Sequence, residues 1–581
     1  MIPKGILPAL LALTLILAVA CGTAEAPDPT AMPEATSAPA AEPTTSVGGE
    51  TSQPTATPQP AAPPADVEVF PGELRLMVGD FASERFDNAF SQGLAGDLNY
   101  GRILHGFLMS DNERREIVPG IASDWNLSDD GLTWTFTIRE GVKFHDGSEL
   151  TPEDVLWTFQ HLFGPQASEY AVAPTALRVS RQLDTIELSG RDVSLTQTIP
   201  STELGNTLSE SGTGWYQVLP ARDEVYNEDV AAAYDRNPIG AGPMSFVDHV
   251  RASSMTFERF EDFYYQPENG FPIDKRMAFE QLTLYLVPEE STRVAALRSG
   301  EADIAPISIP SREQVEAGGG RVIFGQEGAY VWVPFVWCWA DESFPCAKKE
   351  FRQALHYAID KELIRDQLYG GPDVFQVKGW AGVTPSTIGY TPELDPFPFD
   401  PDKARQLLAD AGYPEGEGVG KIILHTWQST SVPFQTEAAQ LAAEFWRREL
   451  GLDAEVRVGD STAIRGAWAA GELNGQIIWR DNETRRDAAS SLLTGYADLE
   501  SGTLRSKDPE LVRRAQEVSQ IVNEEERAQA LTEFYPVLRE ASYEIGIGYV
   551  NIPWGVGSRV EAWQPYPLSP NISALHTIRM K

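Results

Sequence analysis

Side chains able to do covalent or metal chemistry are scattered along this sequence rather than grouped. Its 7 histidines, at 105, 145, 161, 249, 356, 425 and 576, include no HExxH and no close pair, so metal ligation has no local support. No Gly-x-Ser-x-Gly elbow is present to expose a nucleophilic serine. The run 416–421 has Glu415 where a phosphate loop needs glycine and Ile422 where it needs Ser or Thr, which removes a nucleotide reading. Gly240-Ala241-Gly242 has Ser245 in place of a third glycine and reads as a turn, and His145 reads as a structural turn residue. In a chain with 84 acids, neighbours such as Glu289-Glu290 arise without meaning, so paired carboxylates make no case for glycoside hydrolysis. The denser constellation is 475–482, where Trp479, Arg480 and Asp481 are consecutive or nearly so. It offers an aromatic wall, a guanidinium able to grip a carboxylate or phosphate bidentately, and a carboxylate. Strand alternation would send Arg480 away from the face that Trp479 occupies.

Composition narrows the classes further. Against those acids stand 46 Lys and Arg, a formal charge of −38, which excludes a basic nucleic-acid binder. With 42% hydrophobic residues and 14 Trp the chain can bury large cores. The 3 cysteines, Cys21, Cys338 and Cys346, are too few for a disulfide scaffold or a structural zinc site.

The N-terminus reads as an address. Lys4 precedes an apolar run shorter than the roughly 20 residues a spanning helix needs, the pattern of a secretory signal over residues 1–20. Leu17-Ala18-Val19-Ala20-Cys21-Gly22 resembles a bacterial lipobox, which marks Cys21 for lipidation and places the rest of the chain outside the cytoplasm. Residues 22–66 hold ten prolines, many Ala, Thr and Ser, no aromatic and no Lys or Arg. Such a stretch cannot bury enough apolar surface to order itself and reads as an extended tether.

The body from residue 67 mixes strand and helix patterns. Leu74 to Val78 reads as a strand entering a loop at Gly79-Asp80-Phe81, and 132–138 and 142–144 read as strands punctuated by Gly131, Gly141 and Asp146-Gly147. Thr151-Pro152-Glu153-Asp154 opens a helix with a Thr cap, Pro at the first position and acids in the first turn. Phe351, Leu355, Ala358 and Ile359 form a buried helical stripe that leaves Arg352, Asp360, Lys361 and Glu362 off it. Asp402 sits in the first turn of a helix stopped at Gly412 and Pro414.

Three ordered blocks, 118–125, 128–136 and 141–155, carry Val-Pro-Gly-Ile-Ala-Ser-Asp-Trp, Ser-Asp-Asp-Gly-Leu-Thr-Trp-Thr-Phe and Gly-Val-Lys-Phe-His-Asp-Gly…Thr-Pro-Glu-Asp-Val. Together with 237–243, 295–303, 351–361 and 400–414, they resemble the family 5 extracellular solute-binding proteins, the dipeptide, oligopeptide and nickel receptors of ABC importers. The resemblance implies an α/β fold of the periplasmic-binding-protein type II, large cluster C form. Two lobes are joined by two crossover segments, with an extra subdomain in the first. Residues 67–325 are expected as lobe I with that subdomain, 326–540 as lobe II, and 541–581 as the return to lobe I. The crossovers are expected near 330–337 and near 545–551, where alternating glycines allow bending.

In the dipeptide-binding branch of that family, a strand-end tryptophan is followed three residues later by an aspartate that pairs with the ligand's ammonium group. Here Trp479 is followed by Asp481 two residues on, with Asn482 at the third position. Trp479, Asp481 and Arg480 are therefore the leading ligand contacts, joined by Trp337 at the first crossover, Trp427 after the strand 422–424, and Phe81 at the first strand-to-loop transition. Cys338 and Cys346, outside the cytoplasm, are expected to form a disulfide that stabilises by roughly 2–3 kcal/mol. The expected activity is capture of a small solute, a peptide first, for delivery to an ABC permease, by a lipid-anchored monomer with no catalysis, cofactor, metal or nucleic acid. A secreted hydrolase on a similar scaffold and a signalling receptor subunit are the alternatives; oligosaccharides, opine-like compounds and nickel or other metal chelates are the alternative ligands.

Overall fold

The computed structural model describes residues 69–581 apart from 92–94, 166, 168–173, 211, 213–215, 223–226, 430 and 500. The leader, Cys21 and the tether lie outside the described residues. Among the described residues, no helix is long and apolar enough to cross a membrane.

Alternation builds the first lobe. In β1 (Phe70–Val78), Leu74, Leu76 and Val78 are buried while Arg75 and Met77 between them stay partly exposed, since successive strand side chains face opposite ways. β1 runs parallel to β10 (Phe279–Leu286) and β11 (Ile304–Pro306), and β9 (Ser254–Arg259) and β8 (Met244–Val250) extend the sheet antiparallel beyond β10. Asp303 ties the two chain ends together, accepting from Arg75 and from Arg559, each at 3.2 Å. Nearby, β19 (Val560–Ala562) pairs with β20 (Arg579–Met580).

A subdomain grows out of this lobe. β4 (Ala122–Leu127), β5 (Thr133–Ile138), β7 (Asp192–Gln197) and β6 (Leu183–Ser189) form an antiparallel sheet in that order, beside the hairpin of β2 (Met109–Asp111) and β3 (Ile117–Pro119). The helix Pro152–Phe163 buries Val155, Phe159, Leu162 and Phe163 in the subdomain's core. Its start is fixed as the sequence implies, with the Thr151 N–H donating to Asp154 Oδ2 at 2.8 Å. The run 142–144, expected as a strand, makes only an isolated bridge from Lys143 to Glu149. Gly141 and Gly147 turn the chain back so tightly that Phe144 N–H donates to Ser148 O and Leu150 N–H to Val142 O, leaving no edge for a longer ladder.

Two long strands connect the lobes. β12 (Arg321–Pro334) and β18 (Glu544–Val556) pair antiparallel from Arg321↔Val556 to Pro334↔Glu544, and the segments expected as crossovers lie on them. At one end β18 continues onto β11; at the other, β12 carries β17 (Arg480–Glu483) and β18 carries β13 (Phe375–Gln376), completing a nine-stranded sheet among the described residues. The ladder is interrupted between Gly325 and Ala329 and again between Val331 and Trp332. Gly548 is obligatory here: with φ of 153°, a Cβ on it would lie 2.2 Å from the Gln376 carbonyl oxygen.

The second lobe is built on β14 (Lys421–Thr426) between parallel β15 (Asp453–Val458) and β16 (Ile477–Ile478). The helix Gln435–Leu450 covers it with Ala438, Ala439, Ala442, Ala443, Phe445 and Trp446 buried. Cys338 and Cys346 are joined as a disulfide with their Cα atoms 5.5 Å apart.

Around the helix Lys349–Tyr357 the expected stripe is too narrow, because Arg352 and Lys361 are each only 3% exposed. Main-chain carbonyls replace water around both cations: Arg352 donates to those of Cys346, Ala347, Ala541 and Ser542, and Lys361 to those of His356, Ile359 and Phe397. The subdomain reaches the far part of the chain at one point, where a Cβ on Gly131 would sit 3.4 Å from Val522, just before the helix Glu524–Ala541.

Candidate functional site

β17 is the edge strand of the large sheet and pairs with β12 in the register Trp332↔Arg480, Val331↔Asp481, Tyr330↔Asn482. Period two divides its side chains between two environments. Trp479, immediately before β17, and Asp481 face one side; Arg480 and Asn482 face the other.

On the first side Trp479 is fully buried in the main core, together with Tyr369, and its indole N–H has no partner. Asp481 Oδ2 accepts from Ser429 Oγ at 2.9 Å, while Oδ1 is buried without a partner among the described residues. The Tyr369 hydroxyl is likewise buried and unpartnered, and burial, reinforced by the Asp481 charge, pushes its pKa up. An acceptor and a hydroxyl are thus both left desolvated and unsatisfied among the described residues.

On the second side the Arg480 guanidinium lies 5.2 Å from the Trp332 ring, 5.7 Å from Trp427 and 5.8 Å from Trp468. Its one hydrogen bond among the described residues runs from Nε to the Asp481 carbonyl at 3.3 Å. Burial lowers its pKa to about 10, and repulsion from Arg465 adds to the effect. The N–H groups of Trp332 and Trp468 are buried without partners. Trp337, held at a left-handed φ of 40°, stacks obliquely on Trp339 at 5.3 Å and packs against this cluster.

Phe81 stands apart from both groups, 1% exposed and edge-on to Tyr100 at 6.5 Å, as a core side chain of lobe I. The aromatic cluster thus unites Arg480, Trp427 and Trp337. It leaves Trp479 and Asp481 across the strand and Phe81 in the other lobe. Trp332, Trp468, Tyr369, Ser429 and Arg465 were not singled out by the sequence, because what joins them to β17 is pairing across more than a hundred residues in one case and a helix packing in another. Trp332 lies two residues after Tyr330 on an apolar strand, and Trp468 lies four after Ile464 on the helix Ser461–Ala469; that is ordinary core spacing.

Lobe I faces β17 with charge. Glu483 helps to hold the proton on Arg102, whose pKa burial and Arg115 lower, and Glu116 adds to the field that stabilises the Arg486 cation, itself bonded to Glu524 at 2.8 Å. Behind this front a cavity of about 70 Å³ opens among Asn99, Arg102, Ser110, Glu210, Lys275 and His576. Lys275 Nζ donates there to Ser110 Oγ at 2.8 Å, the Asp111 carbonyl at 2.8 Å and Glu210 Oε2 at 3.0 Å, and Arg115 pairs with Asp111. Burial opposes ionisation of Glu210, yet Lys275 holds its pKa well below the usual carboxylate range. His145 bonds Gly242 O and Gly240 N–H at 3.1 Å each, and burial lowers its pKa to about 4, so it braces the turn as a neutral ring. Among the described residues, no group of three or more His, Cys, Asp or Glu is disposed to hold a metal ion.

With this geometry the chain can be set beside known proteins. Residues 116–496 match the family described as bacterial extracellular solute-binding proteins, family 5 (middle region). Over 472 residues, 76% of this chain and 83% of the relative, it is 26% identical to heme-binding protein A of Haemophilus influenzae. It is 24% identical over 397 residues, 68% of each chain, to glutathione-binding protein GsiB of Salmonella typhimurium. Over 317 residues, 52% of this chain and 56% of the relative, it is 25% identical to the dipeptide-binding protein of Escherichia coli. Among solved structures, HbpA2 from Haemophilus parasuis superposes with a TM-score of 0.71 at 20% identity, covering 88% of this chain and 100% of that one. DppA from Helicobacter pylori, in complex with the peptide STSA, superposes with a TM-score of 0.68 at 20% identity, covering 88% and 98%. The fold and the matched residues agree: the chain belongs to the family 5 extracellular solute-binding proteins, which serve ABC importers.

Proposed function

We propose that the chain captures a small solute, a peptide first among the candidates, between its two lobes and hands it unaltered to an ABC permease. The observation that carries the peptide reading is the buried Oδ1 of Asp481, unpartnered among the described residues, whose charge is felt at the unpartnered hydroxyl of Tyr369. A desolvated carboxylate oxygen of this kind is completed by an ammonium group, with a charge-assisted hydrogen bond. The relatives lend support, since dipeptide- and glutathione-binding proteins are among them. In this reading residues 67–325 and 541–581 make lobe I and 326–540 make lobe II. Residues 1–20 are the signal, Cys21 carries lipid, 21–66 form the tether, and the receptor acts as a monomer.

The test is a thermal-shift and calorimetric titration of the lipid-free body with Ala-Ala, glutathione and heme. A bound solute at a hundredfold excess over its dissociation constant stabilises by about 2.7 kcal/mol. Asp481→Asn, nearly isosteric, is expected to weaken Ala-Ala about tenfold or more. Stabilisation by heme alone would overturn the peptide reading, and release of free alanine would move the assignment to a hydrolase. Unchanged Ala-Ala affinity in folded Asp481→Asn would remove Asp481 from the site.

A further inference from the structure

Among the described residues of the second lobe, buried cations are, with one exception, neutralised or richly capped. Arg505 pairs with Glu544 at 3.0 Å and Arg527 with Asp487 at 2.8 Å, while Arg352 and Lys361 are surrounded by carbonyl oxygens. Arg480 is the exception. It is 7% exposed, forms no ion pair, and makes a single long bond through Nε. Asp481 points to the other face of the strand and Glu544 is already engaged by Arg505. Indole faces offset part of the desolvation of such a cation, but they supply no acceptor for the ends of its planar fork.

The surroundings are donor-rich as well. Trp332 and Trp468 are 2% and 1% exposed, and both buried indole N–H groups lack an acceptor. A second guanidinium, Arg465, exposed on the helix Ser461–Ala469, lies 5.2 Å over Trp427 at the same cluster. Two buried indole N–H groups without an acceptor, on rings 5.2 and 5.8 Å from a guanidinium that no acid neutralises, describe the complement of an anion. They do so in a chain whose net charge is −38, where a positive patch of this depth is not the expected background.

We propose that Arg480, with the indole N–H groups of Trp332 and Trp468, forms a seat for an anionic group of the solute, a carboxylate or a phosphate. The inference rests on the solute-binding reading and sharpens it. The solute is an acid, and its negative group enters the tryptophan-lined face of β17 while Asp481 serves the opposite face. Arg465 draws the anion in, and the indole planes shield the resulting ion pair from water.

Tryptophan fluorescence of the full chain reports the seat directly and needs no knowledge of the natural solute. Benzoate and inorganic phosphate are titrated, with benzamide as the neutral control, into the wild type and into Arg480→Met, Arg480→Lys and Trp332→Phe. A saturable response to an anion and none to benzamide is expected, with benzoate alone indicating a carboxylate seat and phosphate alone a phosphate seat. Arg480→Met is expected to weaken the response about tenfold or more and Trp332→Phe severalfold, with Arg480→Lys between them. Should Arg480→Met fail to fold, the lysine and phenylalanine variants carry the comparison. No saturable response to either anion, or a response undiminished in the folded variants, would overturn the seat. Failure of Ala-Ala, glutathione and heme to bind leaves this readout intact, so the two proposals fall separately.

Discussion

Two buried charge clusters, one in each lobe, are built on opposite principles. Around Lys275 in lobe I, cations and anions are interleaved: Lys275 with Glu210, Arg115 with Asp111, and Ser110 bonded to both Lys275 and Glu210. Around Arg480 in lobe II there are rings and N–H groups, and the guanidinium ends meet no acid. A cluster whose charges are paired among themselves holds a fold together, even though, among the described residues, Asp111 Oδ1 meets only the Lys275 ammonium, at 3.6 Å. A cluster short of one acceptor is complete only when something arrives. On the proposal made above, the contrast separates scaffold from receptor within a single chain.

The largest effect should come from breaking the paired cluster. Lys275→Met takes the bonded cation from Glu210 while Asp111 keeps Arg115, and urea unfolding should show a loss of about 3 kcal/mol; a loss below about 1 kcal/mol would mean that water already screens the network. A smaller effect concerns Glu544, the acid that Arg505 has and Arg480 lacks. Burial lifts its pKa to about 7 despite Arg505. A carboxyl raised in the folded state binds its proton more tightly there than in the unfolded chain, so its contribution is present at low pH and is lost as pH climbs toward 7. Relative to Glu544→Gln, which cannot ionise, the wild type should therefore lose stability of order 2 kcal/mol between pH 5 and pH 8. A pH-independent difference would contradict the raised value. The smallest effect is expected at Arg480→Met, where relief of an unpaired buried charge offsets the lost ring contacts and stability stays within about 1 kcal/mol. A destabilisation matching that of Lys275→Met would erase the contrast and make Arg480 a strut.

Local grammar carried much of the fold. The reciprocal Thr151 and Asp154 cap, the Gly412 stop and the alternation of β1 depend on residues within a few positions of one another, and their physics is complete there. Residues 142–144 misled because β-branched and aromatic content promises a strand only where an edge is available. Arg352 and Lys361 misled because charge was taken as a marker of solvent, whereas backbone carbonyls from distant segments can solvate a cation as water does. Opposite facing of Trp479 and Arg480 could be read from strand period alone. Their destinations could not, since Trp332 and Trp468 reach Arg480 through tertiary packing, and an indole without an acceptor leaves no trace in a sequence.

The interruption in the ladder between β12 and β18 has its own consequence. Pairing stops at Gly325↔Ile552 and resumes at Ala329↔Val550, so residues 326–328 share no rung with the partner strand. Side chains splice the gap: Asn551 Oδ1 accepts the Glu327 amide at 2.9 Å, and Ser386 donates its amide and hydroxyl to the Glu327 carboxylate at 3.0 and 2.8 Å. Any rotation of one half against the other would therefore strain these three residues first, since replaceable polar links hold them in place of ladder rungs. Deuterium uptake at 326–328 should run ahead of the flanking rungs in the empty receptor and slow when a guest is locked in.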